Sequence, residues 1–244
     1  MTVDVRAEAL VRPRHAYVKL PDMRVIERPG WSQIITPSFA RGGFNEVSHS
    51  ELSADEADRV IAETIEMYRG IGFRWTVCPD CRPLDLGARL ERAGLTPSTC
   101  FAMARSTDMP GEAPDVIPVG AHNLHAFTRV TSEVWGADPV VLGGAQQLML
   151  ASGNHPMWLA MHEGEAVGAG SYVAFSRSAF LMNAVVVPAF RGRGAYRQLV
   201  VARLADARAR GIPIATTNAM ASTSAPMLRK MGFADVAELT MYRS

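Results

Sequence analysis

A strand, a glycine-bearing turn and a helix follow one another directly in the second half of this 244-residue chain. The strand, at about Ala179–Val187, is apolar and rich in valine, which is typical of a strand buried in a sheet. The turn contains Arg191-Gly192-Arg193-Gly194, and the helix runs from about Gly194 to Arg210 before Gly211 ends it. A unit of this kind needs a sheet with helices on its faces, so it predicts an α/β fold.

The same turn predicts an anion site. The first backbone N–H groups of a helix have no partner within the helix, and the helix dipole makes that end positive. Gly192 and Gly194 allow a bulky anion to approach the backbone, and Arg191 and Arg193 add positive charge. A diphosphate group fits this description, whereas the plainer alternative is a glycine-containing turn with two solvated arginines. A nucleotide P-loop is excluded because no Gly-Lys-Ser/Thr follows.

Other elements of the second half give a regular order of three strands followed by helix, strand, helix and strand, which predicts a mixed sheet. Another helix precedes the first of these strands. The short helix near the end carries Pro226 in its first turn, with Ser222 or Ser224 as its cap. The remaining predicted elements are the helix Leu124–Trp135, the strands Trp158–Met161, Ala166–Tyr172 and Ile212–Thr216, and the last strand, Val236–Tyr242.

The first half repeats the end of this plan. Ser53 and Glu56 form a capping-box pattern that opens a helix to about Arg69. A strand, a helix and a strand then follow at Phe73–Val77, Asp85–Ala93 and Thr99–Ala104.

Short motifs also recur at matching offsets in the two halves. Each half contains Leu-x-x-x-Gly, ending at Gly94 or Gly232, and nine residues after that glycine comes Met103 or Met241. We therefore predict a tandem repeat with domains at 1–108 and 116–244, joined by a Pro- and Gly-rich linker at 109–115.

The motif Pro188-Ala-Phe-Arg-Gly-Arg-Gly194, which lies 40 residues before Leu228-Arg-Lys-Met-Gly-Phe233, resembles the coenzyme A signature of the GNAT family of N-acyltransferases. The resemblance covers about Val116 to Ser244. It implies an α/β fold with a mixed sheet in two GNAT-like halves. The C-terminal half would be a complete acyl-CoA N-acyltransferase fold, and the N-terminal half would be a degenerate copy.

In that family the amides of the turn bind the pyrophosphate, and the strand before it is splayed so that its backbone binds the pantetheine. The resemblance therefore implies acetyl-CoA as the cofactor, with Val186 and Val187 on the pantetheine and Val186 N–H as the oxyanion donor. The turn residues carried over are Arg191, Gly192, Arg193, Gly194, Ala195 and Tyr196. Tyr196 departs from the family, which usually has Gly or Ala there, and its side chain either packs under the loop or reaches the cofactor.

Catalytic groups are harder to assign. Glu133 is the candidate base and Asn183 could orient substrate or water, although a solvated carboxylate and a strand-end hydrogen bonder are the alternatives. Many family members have a tyrosine acid four residues before the Gly-Phe pair, but here that position is Leu228. The acid is then water, a hydroxyl such as Ser222 or Ser224, or absent.

These observations predict an acetyl-CoA-dependent N-acetyltransferase that acts on the amine of a small molecule. A non-catalytic acyl-CoA sensor or scaffold, and a transferase acting on a protein N-terminus or lysine, remain alternatives. The stretch Ser48–Asp58, which replaces the Arg-Gly turn in the first half, is acidic and has no glycine. We therefore expect the first half to bind no coenzyme A.

Composition excludes several classes of partner. The net charge is +1, so we expect no nucleic acid, and no apolar run approaches the length of a membrane span. The first twenty residues have no signal-peptide pattern, and three cysteines give no disulfide framework, so we expect a cytoplasmic location. A homodimer is compatible with these features.

No metal site is expected either. Cys78 and Cys81 have C-x-x-C spacing without a second pair, and His122 and His125 share a helix face without further ligands.

Overall fold

The computed structural model describes residues 3–108 and 111–244. The chain forms two compact units, each built from two segments. Unit 1 contains Met1–Val18 and Ala104–Asn218, and unit 2 contains Lys19–Met103 and Ala219–Ser244. The predicted linker begins with Met109 and Pro110, which lie outside the described residues. The division of the sequence into repeats at 1–108 and 116–244 stays a prediction.

The elements are numbered here in chain order. The α-helices are α1 (Val5–Leu10), α2 (Ala57–Met67), α3 (Leu86–Arg92), α4 (Leu124–Trp135), α5 (Pro139–Ser152), α6 (Ala195–Ala209) and α7 (Ser224–Lys230). The strands are β1 (Arg24–Arg28), β2 (Trp31–Ile35), β3 (Glu46–Ser50), β4 (Arg74–Val77), β5 (Thr96–Ser106), β6 (Val116–Pro118), β7 (Met157–His162), β8 (Glu165–Ala174), β9 (Ser178–Val186), β10 (Ile214–Met220) and β11 (Ala234–Arg243). Short 3-10 helices occur at Arg12–His15 and Pro188–Phe190. No helix among the described residues combines the length and apolar character needed to cross a bilayer.

In unit 2 the strands follow the order β1-β2-β3-β4-β11-β5. The first three strands are antiparallel neighbours, whereas β3 and β4 run parallel and β4 and β11 antiparallel. The indole of Trp75 on β4 is fully buried and meets Trp31 edge to face, with 5.4 Å between the ring centroids. The hydrogen bond from Trp75 Nε1 to Ser50 Oγ satisfies the polar edge of this buried ring.

In unit 1 the strands follow the order β10-β9-β8-β7-β6, with α4 and α6 packed on the sheet. β9 and β10 are parallel, and the other neighbours are antiparallel. The mixed sheet with packed helices confirms the predicted α/β class. In chain order, three strands followed by helix, strand, helix and strand occur twice, as β1 to β5 and again as β7 to β11.

Helix α6 packs on the sheet through an apolar stripe. Its members Leu199, Val200, Leu204 and Ala207 are all fully buried against the sheet. The stripe also contains Arg203, which is only 1% exposed and was not singled out by the sequence pattern. A charged side chain is therefore built into the packed face of this helix.

Local details differ from the prediction at two helix starts, and one helix was not predicted. The capping box at Ser53 is wrong, because α2 begins after Glu56 without a side-chain cap and the Ala57 N–H bonds the Ser53 carbonyl. Helix α7 begins after Thr223, and the hydroxyl of Ser224 instead accepts the Met220 N–H. Helix α5 was not predicted, since its apolar residues surround the helix and give no one-sided stripe.

Candidate functional site

Strands β9 and β10 separate partway along their length. Their pairing runs from Ser178 opposite Ile214 to Phe180 opposite Thr216, and within the described residues it stops there. The Thr217 hydroxyl then donates to the Leu181 carbonyl at 2.9 Å, which terminates the ladder. Beyond this point, the β10-facing edge of β9 is open.

A bulge lies on β9 just past the separation. Ala169 pairs with Val185 and Ser171 with Met182, so β9 carries one more residue than β8 between these pairs. Asn183 sits in the bulge with a φ of 56°, and its amide donates to Ser171 Oγ at 3.0 Å. Asparagine is one of the few residues that tolerate this left-handed conformation, and a bulge re-aims the backbone groups beside it.

The buried guanidinium of Arg203 supports the backbone beside this bulge. Its Nη1 donates to the carbonyls of Ser171 at 3.1 Å and Met182 at 3.4 Å, and its Nε donates to Leu199 O at 2.8 Å. Burial lowers the Arg203 pKa to about 10, and in the described part of the chain no carboxylate pairs with it. The side chain therefore donates to carbonyls on both strands beside the bulge.

Backbone groups at the end of β9 point in opposite directions. The Val187 N–H donates to Val167 O on β8 at 2.9 Å, and the Val187 carbonyl accepts the Phe190 N–H at 3.0 Å. Because strand backbone groups alternate, the N–H of Val186 points away from β8 toward the open edge. Val187 thus supports the turn, and Val186 offers the free donor.

The turn after β9 presents a row of unpaired donors. Gly192 and Gly194 have φ angles of 77° and 89°, and no protein atom lies within 4 Å of where a β-carbon would stand on either. The first hydrogen bond of α6 runs from Gln198 N–H to Gly194 O at 3.1 Å. Among the described residues, the backbone N–H groups from Gly192 to Arg197 donate to no protein acceptor. An anion can reach these amides without steric obstruction, and the helix dipole favours it there.

The two arginines of the turn are exposed but fixed differently. Arg191 Nε donates to the Val186 carbonyl at 3.1 Å, so this side chain braces the turn against the end of β9. The Arg193 guanidinium lies over the Phe190 ring at 5.2 Å, next to a shallow pocket that His162 and Gln198 also line. Arg193 is therefore the more available cation.

Tyr196 lies partly buried in the first turn of α6. Burial raises the pKa of its hydroxyl, and the positive charge of Arg203 acts in the opposite direction.

The predicted catalytic residues lie on different elements. Glu133 is in the last turn of α4, about half exposed, and its carboxylate is 3.9 Å from Arg129. Ser222 is exposed in the turn between β10 and α7 of unit 2, and Leu228 is buried in α7. Asn183 alone lies on the strand that leads into the turn. The roles of Glu133, Asn183 and Ser222 stay predictions.

Sequence reasoning did not single out Arg203 or Ser171. A signal for Arg203 was present, because a charged residue four positions after Leu199 falls on the apolar stripe of α6. No comparable signal identifies Ser171, whose role depends on the register of β8 against β9.

Comparisons with known proteins agree with this geometry. Residues 122–233 match the family model described as acetyltransferase (GNAT) family. A search of curated proteins gives no match.

Solved structures share the fold of this chain at low sequence identity. A functionally unknown conserved protein from Staphylococcus epidermidis has a TM-score of 0.69 and 12% identity, covering 98% of this chain and 99% of its own. A GCN5-related N-acetyltransferase from Kribbella flavida has a TM-score of 0.68 and 13% identity, covering 100% and 96%. A tandem GNAT protein from the clavulanic acid biosynthesis pathway has a TM-score of 0.59 and 13% identity, covering 100% and 88%.

Proposed function

Residues 122–233 belong to the acetyltransferase (GNAT) family, and from that premise we propose that this chain transfers an acetyl group from acetyl-CoA to the amine of a small molecule. The match supports N-acyl transfer as the class of reaction. The choice of acetyl as the acyl group rests on the family's name, and the small-molecule acceptor remains part of the proposal. The observation that carries the donor assignment is the row of free N–H groups from Gly192 to Arg197, which continues from the open edge of β9.

The residues present fit a coenzyme A thioester. The amides from Gly192 to Arg197 would hold its diphosphate, with Arg193 adding positive charge and Arg191 bracing the turn. The open edge of β9 would hold the pantetheine amides as a neighbouring strand does. The bound thioester supplies an acyl group activated toward attack by an amine.

Stabilisation of negative charge at the thioester oxygen falls to the backbone. The Val186 N–H points to the open edge, where it can donate to that oxygen without rearrangement. The bulge at Asn183 and the Arg203 guanidinium fix this strand end, so the donor is held in place before the reaction.

Proton transfer is assigned by proposal only. Glu133 is the candidate for accepting a proton from the ammonium form of the acceptor, and Asn183 for orienting the acceptor or a water. The leaving thiolate would take its proton from water or from a hydroxyl such as Ser222, since Leu228 has no proton to give.

A non-catalytic acyl-CoA sensor is the second candidate function. The observation that favours it is Leu228, which is buried at the position where many family members have a tyrosine acid. Binding of acetyl-CoA without turnover of any acceptor would support the sensor and contradict the transferase.

The test measures thiol release from acetyl-CoA in the presence of separate panels of small amines and of peptides with free N-termini or lysines. We expect release with at least one small amine and none with the peptides. Release with peptides alone would favour a protein acetyltransferase instead. Gel filtration of the same sample would report whether a homodimer forms.

A matched pair of glycine variants tests the donor site. Gly194 and Gly211 lie at opposite ends of α6, both with positive φ and open space around them, so glutamate strains the backbone similarly at each. Gly194→Glu should weaken acetyl-CoA binding by roughly tenfold or more, equivalent to about 1.4 kcal/mol, because its carboxylate opposes the diphosphate. Gly211→Glu should not weaken it.

Acetyl-pantetheine, which lacks the diphosphate, supplies an internal control. Wild type and Gly194→Glu should bind it equally. Equal binding of acetyl-CoA by both glutamate variants would show that the diphosphate does not sit at this turn.

A further inference from the structure

Unit 2 contains a buried cluster of one histidine and two cysteines that the proposed transferase does not use. His49, Cys78 and Cys81 are at most 8% exposed, and both cysteines are free thiols. Their potential ligand atoms, His49 Nδ1 and the two Sγ atoms, lie within 4.8 Å of one another. Such clustering of soft ligands in a protein interior is typical of metal sites.

The fold brings these residues together through neighbouring parallel strands. β3 and β4 run side by side, with Val47 opposite Trp75, so His49 near the end of β3 lies beside the residues that follow β4. Cys78 comes directly after β4 and begins the turn Cys78-Pro-Asp-Cys81. The sequence predicted no metal site because Cys78 and Cys81 had no second pair, whereas in the structure the third ligand comes from 29 positions upstream.

The turn itself is folded as a chelating loop. The Cys81 N–H donates to the Cys78 carbonyl at 2.9 Å, and the Cys78 N–H donates to Cys81 Sγ at 3.3 Å. Just after the turn, the Arg82 N–H bonds the Ser50 carbonyl at 3.0 Å, which fastens it to the end of β3. The Cys81 sulfur is thereby held by a backbone N–H, and the turn that carries both cysteines is fastened to β3.

Distances among the three ligand atoms suit a single ion. His49 Nδ1 is 3.9 Å from Cys78 Sγ and 3.9 Å from Cys81 Sγ, and the two sulfurs are 3.2 Å apart. Ligand atoms on one tetrahedral zinc ion lie about 3.5–3.8 Å apart, given bonds of about 2.3 Å to sulfur and 2.0–2.1 Å to nitrogen. Small side-chain shifts would therefore place all three atoms on one ion, with water in the fourth position.

The second nitrogen of His49 provides an independent observation. His49 Nε2 lies 2.8 Å from the carboxylate oxygen of Glu51, which can only accept, so Nε2 carries the proton. Nδ1 then presents its lone pair to the two sulfurs. A histidine that donates one ring N–H to a carboxylate and offers the other nitrogen is the usual arrangement of a metal-bound imidazole.

We propose that His49, Cys78 and Cys81 bind one thiophilic divalent metal ion, Zn²⁺ first, with Glu51 orienting the imidazole. The equal distances from Nδ1 to both sulfurs favour a shared ion over a base that activates one thiol. Two thiolates also neutralise a divalent cation, so the buried site would carry no net charge. The proposal does not depend on the acyl-transfer function.

The test uses the full-length chain, reduced and freed of metal, and titrated with Co²⁺ as a spectroscopic probe for Zn²⁺. We expect one Co²⁺ per chain, with sulfur-to-cobalt charge-transfer bands and tetrahedral d–d bands that Zn²⁺ abolishes. Cys81→Ser should lose the bands, whereas Cys100→Ser, at a buried cysteine outside the cluster, should keep them. Circular dichroism on each variant reports whether it is folded.

Glu51→Gln keeps all three ligands and changes only the carboxylate that orients the His49 imidazole. We expect the same bands and stoichiometry, with metal affinity lowered by roughly 10- to 100-fold. A wild-type chain that stays folded but shows no charge-transfer band on titration overturns the proposal. So does a protein that, without reductant, shows a Cys78–Cys81 disulfide by mass spectrometry and, after reduction, takes up no metal.

Discussion

Arg203 carries more of the candidate site than any other single side chain outside the turn. Its buried guanidinium pairs with no carboxylate of residues 3–108 and 111–244, and it donates to carbonyls on two strands and on its own helix. Room for it comes from Gly170, where a β-carbon would stand 3.3 Å from Arg203 Cζ. Arg203 therefore fills the space beside Gly170 and links β8 to β9 through its hydrogen bonds.

Replacing Arg203 by methionine should destabilise the fold by about 1–3 kcal/mol, because the buried hydrogen bonds from the guanidinium to the Ser171 and Met182 carbonyls are lost. Arg203→Lys keeps the charge but not the fork of donors, so it should recover only part of that loss. Urea denaturation of the three proteins measures the difference. If methionine leaves the free energy of unfolding unchanged, water is replacing the guanidinium and the side chain is not the support described above.

His155 makes stability depend on pH. Burial lowers its pKa below the ordinary 6.5, so the folded state disfavours the protonated ring that the unfolded chain accepts. Stability is then complete above about pH 6.5 and decreases as the pH falls below that value. His155→Gln should flatten this part of the profile of unfolding free energy against pH, whereas the same change at the exposed His125 should leave it steep.

Among the elements, β9 is the strand that separates from its neighbour β10 partway along its length. Its first three residues pair with β10, its bulge changes direction at Asn183, and its last N–H donor is left free at Val186. The left-handed backbone at Asn183 is what permits this shape.

Variants at position 183 separate backbone conformation from side-chain chemistry. Asn183→Gly should retain stability and acetyl-CoA binding, since glycine adopts this φ freely. Asn183→Val should cost about 1–2 kcal/mol or more, because a β-branched residue is strained there. Thermal unfolding and cofactor titration measure both effects. Equal behaviour of the two variants would indicate that the bulge relaxes without loss.

The elements were predicted better than their connections. The bounds of α4 agree fully with the sequence pattern, and those of α6 agree within a residue, because both helices have a one-sided apolar stripe and a glycine stop. Helix α5 was not predicted because its apolar residues surround the helix. The strands β1 and β2 were not predicted because they are short. The bulge could not be predicted, because it depends on the register between two strands.

For the whole molecule, the sequence predicted where a diphosphate would sit but not which groups support it. The turn at Arg191–Gly194 is a contiguous motif, so its role can be inferred from local chemistry. Arg203, Ser171 and the His49 cluster act through contacts between residues distant in the sequence. Those contacts exist only once the sheet has formed.

We expect one acyl-CoA site per chain. Between β3 and α2 the chain is acidic and lacks glycine, so it has neither the approach nor the charge that the turn before α6 offers. Isothermal titration with coenzyme A should give a stoichiometry of one, and the affinity of that site should fall by roughly tenfold or more in Gly194→Glu. A second site that survives this substitution would contradict the assignment.

Strand β11 has a practical consequence for cloning. It is formed by the final residues of the chain, yet it pairs along β4, and Ser244 exchanges hydrogen bonds with Phe73 at the end of that ladder. A fragment cut at the sequence boundary near residue 110 would leave β4 with an unpaired edge of exposed N–H and C=O groups, which promotes aggregation. A gene that joins the second segment of unit 2, which contains β11, directly to its first segment would express unit 2 with its sheet complete.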